Sequence, residues 1–205
     1  MLLPEGVEFT PLTAEEFGAA AARTAPPGSE LLSIRWRFRD SEMGVSGRGA
    51  ARITPPDSLR IDVRGPLGFG RGTLVLAGAS VWANPEDLVR QVLPDRFLVW
   101  AMLGVVRAPD TVDRFESGSA GGRRLLRMAE PDGRVTTLEL AGDTVMGGVL
   151  SRGERVVGRL TLVRGADGKV VRAVAENLER NARLVFDIDR RTPSGGFPGE
   201  VWRRP

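Results

Sequence analysis

From Leu32 the chain alternates: Leu32, Ile34, Trp36 and Phe38 fall on one side of an extended segment, and Ser33, Arg35, Arg37 and Arg39 on the other. A period of two predicts a strand with one wet face, the pattern of antiparallel sheets. Leu59, Ile61 and Val63 against Arg60, Asp62 and Arg64 repeat it, as do Leu184, Phe186 and Ile188 against Arg183, Asp187 and Asp189. Met43 to Ile53 alternates too, but Gly47, Gly49 and Ala51 leave little bulk on one side. That stretch predicts either room for something to lie against the strand or a bulged, strongly bent strand. Ala79 to Ala83 reads as a short strand. In the second half, Pro131-Asp132-Gly133, Ala141-Gly142-Asp143, Arg152-Gly153-Glu154 and Ala166-Asp167-Gly168-Lys169 supply the turn residues of a meander. The strands between and around them cover 125–130, 134–140, 144–150, 155–163 and 170–177. Residues 190–199 read as a loop before a last short strand over 200–203.

Three segments break the period. Thr13 as cap and Glu16 three residues on form a capping box, with Leu12 and Phe17 placed for a hydrophobic staple, and predict a helix over about 13–24 that stops before Pro26-Pro27-Gly28. Asn84 followed by Pro85 starts a second helix over about 85–92. A third, about 97–106, holds Phe97, Leu98, Trp100, Ala101, Met102, Leu103, Val105 and Val106, is apolar almost all round, and should be buried between the sheet and another layer. The sum is a mainly β (α+β) chain forming one domain over residues 1–205. Its expected architecture is a curved antiparallel incomplete β-barrel of about ten or eleven strands with a lid of short helices. Space left under the lid would suit an apolar guest.

Composition narrows the chemistry. The 205 residues include no His and no Cys, which removes imidazole and thiolate metal sites, Cys nucleophiles, disulfides and His-based acid–base catalysis together. The net charge is only +3, from 29 basic and 26 acidic side chains, and Lys169 is the one lysine. So even a balance does not suggest a dedicated nucleic-acid binder. The most apolar run, Phe97 to Val106, is half of the ~20 residues that a membrane-spanning helix needs. Met1-Leu2-Leu3-Pro4 leads directly to Glu5 with no leader pattern.

No constellation reads as catalytic. Asp187 and Asp189 lie on the wet side of one strand, where carboxylates serve solvation. Gly44-Val45-Ser46-Gly47-Arg48-Gly49 lacks the spacing of a nucleophile elbow, and no His exists to activate a serine. Gly118-Ser119-Ala120-Gly121-Gly122-Arg123 lacks the ending of a phosphate loop and reads as a flexible hairpin connection. Trp36, Trp82, Trp100 and Trp202 could stack on bases, but Trp36 and Trp100 sit within apolar patterns and are expected in the core. No metal and no cofactor is predicted.

One hairpin stands apart. Strands ending at Arg64 and restarting at Arg71 are joined by Gly65-Pro66-Leu67-Gly68-Phe69-Gly70, whose tip is apolar where hairpin tips are usually polar. Leu67 and Phe69 either fold back under the sheet or face something outside the protein, which points to a membrane or lipid. The order of elements resembles the LolA/LolB superfamily of bacterial lipoprotein carriers, with an unclosed antiparallel barrel and a helical lid over a hydrophobic cavity. Leu59-Arg60-Ile61-Asp62-Val63-Arg64-Gly65-Pro66-Leu67-Gly68 looks like the LolB strand that ends in a Pro-Leu-Gly loop, whose leucine protrudes and helps place lipoproteins in the membrane. Residues Leu98 to Pro109 are loosely similar to the LolB lid. Three departures are plain: no acylated N-terminal Cys is present, Gly65 stands where a polar residue is expected before the proline, and Phe69 adds a second apolar group to the tip.

The resemblance implies non-enzymatic binding of lipid acyl chains or lipoproteins in the periplasm by a monomer, with no nucleic-acid partner. Any outer-membrane anchor would be an N-terminal lipid outside this sequence. Leu67 and Phe69 would contact the membrane surface. Ile34, Trp36, Phe38, Ile61, Val63, Trp100, Met102 and Leu103 would line the cavity. The rival readings are an envelope structural or sensory module of the same fold that binds a protein partner without lipid cargo and, behind it, a basic single-strand nucleic-acid binder.

Overall fold

The structure is a computed structural model and describes residues 6–65, 70–78, 80–86, 96–109 and 111–203. Two helices, α1 (Ala14–Ala22) and α2 (Arg96–Met102), and thirteen strands are described. The strands are β1 (Phe9–Leu12), β2 (Ser29–Arg39), β3 (Gly44–Thr54), β4 (Ser58–Arg64), β5 (Arg71–Ala77) and β6 (Ser80–Asn84), then β7 (Arg114–Ala120) and β8 (Arg123–Ala129). They continue with β9 (Arg134–Ala141), β10 (Thr144–Arg152), β11 (Arg155–Arg164), β12 (Val170–Asn177) and β13 (Ala182–Ser194). All thirteen form one antiparallel sheet in the order β1-β7-β8-β9-β10-β11-β12-β13-β2-β3-β4-β5-β6. The expected mainly β, unclosed architecture is therefore the one observed.

The topology follows from two meanders, β2 to β6 and β7 to β13, joined where the last strand returns to the second. β13 pairs with β2 along its whole length, from Arg183 opposite Arg39 to Ser194 opposite Ser29. The meanders thus meet in the middle of the sheet and leave β1 and β6 at its edges. Alternation decides the faces. Leu32, Ile34, Trp36 and Phe38 turn inward beside Ile188, Phe186 and Leu184 of β13, while Arg35, Arg37 and Arg39 turn outward.

Several strands differ from expectation, each for a reason of pairing. β1 was not expected, since Phe-Thr-Pro-Leu has no alternation; it exists because an extended segment there adds to the edge of β7. Gly118, Ser119 and Ala120 belong to β7, and only Gly121 and Gly122 make the turn, both at positive φ. The stretch read as a loop over 190–199 is strand as far as Ser194, because Ser29 to Ser33 of β2 supply its partners across a register shift after Ile188. The last short strand is instead a 3-10 turn, Gly199–Trp202, lying against β4 and β5. The space expected beside Gly47 and Gly49 is taken. A Cβ on Gly47 would overlap the carbonyl oxygen of Arg64 and touch the Trp36 indole, and one on Gly49 would overlap that of Asp62, so these glycines let β3 bend onto β4.

Helix α1 starts as its sequence dictates. The Glu16 amide donates to Thr13 Oγ1 (3.1 Å) and the Thr13 amide to Glu16 Oε2 (2.8 Å), a closed capping box. Phe17 then stacks on Phe115 of β7, centroids 4.4 Å apart. Helix α2 is shorter than the apolar run around it. Gly104, at φ 88°, ends it in a Schellman arrangement: its amide donates to the Ala101 carbonyl (2.9 Å) and the Val105 amide to that of Trp100 (3.1 Å). Val105 and Val106 continue as buried extended chain. The helix expected at 85–92 falls largely outside the described residues.

Candidate functional site

The inner face of the sheet changes character along β2. At one end Glu30 keeps phase with the apolar stripe, and its buried carboxylate pairs with Arg191 (2.9 Å) and Lys169 (3.1 Å). In the middle, Leu32 and Ile34 are closed off from solvent. Toward the other end come Trp36 and Phe38, still buried, then half-buried Val45 on β3 and Val63 on β4.

The charged end holds the lid. Arg191 Nη2 reaches the carbonyl oxygens of Leu103 (3.4 Å), just past α2, and Val170 (3.3 Å). Arg164 donates to the carbonyls of Val145 and Gly168. Burial and, after it, the charge of Arg191 push the Arg164 guanidinium below its ordinary pKa. On the far side of α2, the Val106 amide donates to Thr24 Oγ1 (2.8 Å), tying the lid strap to the end of α1. Arg107 donates to the Pro56 carbonyl (3.1 Å) and lies over the Trp100 ring.

Beneath these ties the helix is buried on every side that is described. Val99, Ala101 and Met102 are closed off, and Leu98, Trp100 and Leu103 nearly so, against β11 and β12. The sheet and the lid thus share one apolar cluster containing Ile34, Trp36, Phe38, Ile61, Trp100, Met102 and Leu103, with Val63 packed at its margin. These are the eight side chains singled out for a cavity, and the fold brings them to one inner face. Leu67 and Phe69 lie outside the described residues.

At the Trp36 end, the indole N–H is buried and has no hydrogen-bond partner among the described residues. A buried donor of that kind costs about 1–3 kcal/mol relative to a satisfied one. It faces the glycine bend of β3, where Gly47 passes the backbone carbonyl of Arg64. Chemically, this face can exclude water and hold hydrocarbon. It offers one donor and no acid–base pair; Asp187 and Asp189 point away from it and are bound by Arg37 (2.8 Å) and Arg35 (2.7 Å). Among the described residues no group of three His, Cys, Asp or Glu could hold a metal ion.

The Glu30 cluster was missed in reading the sequence, though a signal existed. A carboxylate in phase with Leu32, Ile34, Trp36 and Phe38 must be buried with a partner, and Lys169 was conspicuous as the sole lysine. Arg191 could not have been found that way, because the register shift in β13 turns it inward.

Sequence comparison finds no matching family model and no matching curated relative. Comparison of structures does find matches. A LolA superfamily protein from Nitrosomonas europaea superposes with a TM-score of 0.57 at 13% identity, over 94% of this chain and 98% of that one. An outer membrane lipoprotein-sorting protein domain from Vibrio parahaemolyticus does so with a TM-score of 0.57 at 11% identity, over 90% and 93%. The likeness is one of fold: this chain, an unclosed antiparallel sheet with helices on its apolar inner face, has a LolA-like fold.

Proposed function

We propose that the protein is a non-enzymatic carrier that binds lipid acyl chains, either free or as the anchors of lipoproteins, in the bacterial periplasm. The observation that carries this reading is the inner face itself: one apolar surface from β2 to the lid, ending at a buried indole donor with no partner among the described residues. Each methylene removed from water contributes about 0.8 kcal/mol, so a long chain is held without a charged contact. The unpaired Trp36 N–H would meet a carbonyl or ester oxygen at the head of the chain. The lipoprotein-sorting description of the Vibrio neighbour agrees with such cargo. Ile34, Trp36, Phe38, Ile61, Val63, Trp100, Met102 and Leu103 would line the site, which a guest enters by displacing α2. Leu67 and Phe69 would meet the outer membrane.

One observation favours the rival. Val99, Ala101 and Met102 already fill the space under the lid, as they would in an envelope module that binds a protein partner and carries no lipid. Mass spectrometry of an organic extract of protein purified without detergent separates the two. Stoichiometric phospholipid or fatty acid is the expected result. An empty extract together with no uptake of a fluorescent fatty acid would sink the carrier. For the hairpin, Leu67→Glu should leave the melting temperature unchanged and abolish liposome association; a variant that unfolds would show Leu67 to be a core residue.

A further inference from the structure

On the outer face of the sheet some arginines meet a carboxylate and others lie opposite another arginine. The registers place Arg35 opposite Arg48, Arg48 opposite Arg64, and Arg64 opposite Arg71, a continuous row across β2, β3, β4 and β5. Like charges directly opposite one another destabilise a sheet. Elsewhere on this face several arginines, though not Arg39, are answered by acids. Asp62 accepts from Arg52 and Arg60, and Asp187 pairs with Arg37 and Arg172. Within the row only Arg35 is answered, by exposed Asp189. Arg48, Arg64 and Arg71 are exposed and make no ion pair among the described residues.

We propose that this row, Arg35, Arg48, Arg64 and Arg71, binds the phosphate headgroups of an anionic membrane surface. The proposal rests on the reading of the protein as a lipid carrier that docks on membranes. Adjacent strands lie about 4.8 Å apart, so the row spans roughly 14 Å. Each of its four guanidiniums stands on its own strand, so each can take its own phosphate from a plane of headgroups, two hydrogen bonds at a time. Position agrees with charge. Arg64 and Arg71 are the last paired residues of the β4–β5 hairpin, whose neck is closed by the Gly65 amide donating to the Gly70 carbonyl (2.9 Å). The sequence between Gly65 and Gly70 is Pro66-Leu67-Gly68-Phe69, so the basic row adjoins an apolar stretch of sequence. Paired basic and apolar signals of this kind give stable membrane attachment where either alone is weak.

The test uses the full chain and sedimentation with phosphatidylcholine vesicles, with and without phosphatidylglycerol. Wild type should bind the anionic vesicles far more tightly, with affinity falling as salt rises. The triple variant Arg48→Gln, Arg64→Gln, Arg71→Gln should lose about 100-fold, at about fivefold per charge. Its melting temperature should hold or rise, because a row of like charges is relieved. Arg155→Gln, on β11 outside the row, should bind as wild type. Unchanged binding by the triple variant overturns the proposal. So does wild-type binding to a single-stranded oligonucleotide or soluble polyphosphate as tight as to the vesicles, which would make the row a general polyanion site. Uptake of a fluorescent fatty acid is measured in parallel. Normal uptake with row-independent vesicle binding defeats the row and leaves the carrier standing; absent uptake with row-dependent vesicle binding defeats the carrier and supports the row.

Discussion

Asp62 shows what a single residue does on the outer face. It accepts from Arg52 (2.6 Å), Arg60 (2.9 Å) and Thr73 (2.9 Å), joining three strands through one carboxylate. Burial alone would push its pKa up, but the hydrogen bonds from Arg60 and Thr73 and the charges of Arg60 and Arg52 outweigh it and hold the group below the ordinary aspartate value. A carboxyl whose folded pKa is depressed adds stability that is fully present above the unfolded value, about 3.9, and lost as pH falls through the folded one. Asp62→Asn should therefore cost about 2 kcal/mol at neutral pH, since two guanidiniums lose their charged acceptor. The gap from wild type should stay constant to about pH 5 and close below about pH 4. Urea unfolding at a series of pH values measures this, and a gap that persists at low pH would show that Asp62 acts by packing.

At the scale of elements, the lid depends on a short helix that the sequence made too long. The run from Leu98 to Val106 is apolar throughout, so hydrophobicity cannot mark where helix gives way to extended chain. Gly104 marks it, by adopting a conformation that L side chains avoid. A Cβ there would also meet Val170 Cγ2 at 3.1 Å. Gly104→Ala should destabilise the protein by about 1–2 kcal/mol. The loss should be local, with faster hydrogen exchange at amides 103, 104 and 105 and unchanged exchange in β8 and β9. Uniformly faster exchange would mean that the lid and the sheet open as one unit.

The other elements divide by whether local pattern or distant pairing made them. Strands with one wet face, such as β2 and β4, were legible because burial imposes a period of two. α1 was legible from Thr13 and Glu16 alone. β1, the glycine-bearing β7 and the end of β13 were not, because they are strands by virtue of partners far away in sequence. The same limit applied to the candidate site. Its apolar side chains could be named from the pattern, but the arginine row exists only in register, with 35 opposite 48, 48 opposite 64 and 64 opposite 71.

At the scale of the whole molecule, the junction between β13 and β2 decides cooperativity. Without β13 the sheet would fall into two pieces, β1 with β7 to β12 and β2 to β6, and each would lack the other half of the shared core. A chain ending at residue 181 should show no cooperative thermal transition, whereas one ending at residue 194 should keep it. A cooperative melt of the shorter chain would mean that one meander folds alone. Because this junction joins segments about 150 residues apart, folding should be slow for the size of the protein.

Among the described residues, the sheet ends at β1 and β6 without joining them. A sealed barrel has its girth fixed by the number and stagger of its strands. This one does not: small changes of twist at each junction can widen or tighten the curl while every ladder bond stays in place. For the proposed carrier, capacity would then be an elastic property of the wall, and guests of different length could be accommodated without breaking backbone hydrogen bonds.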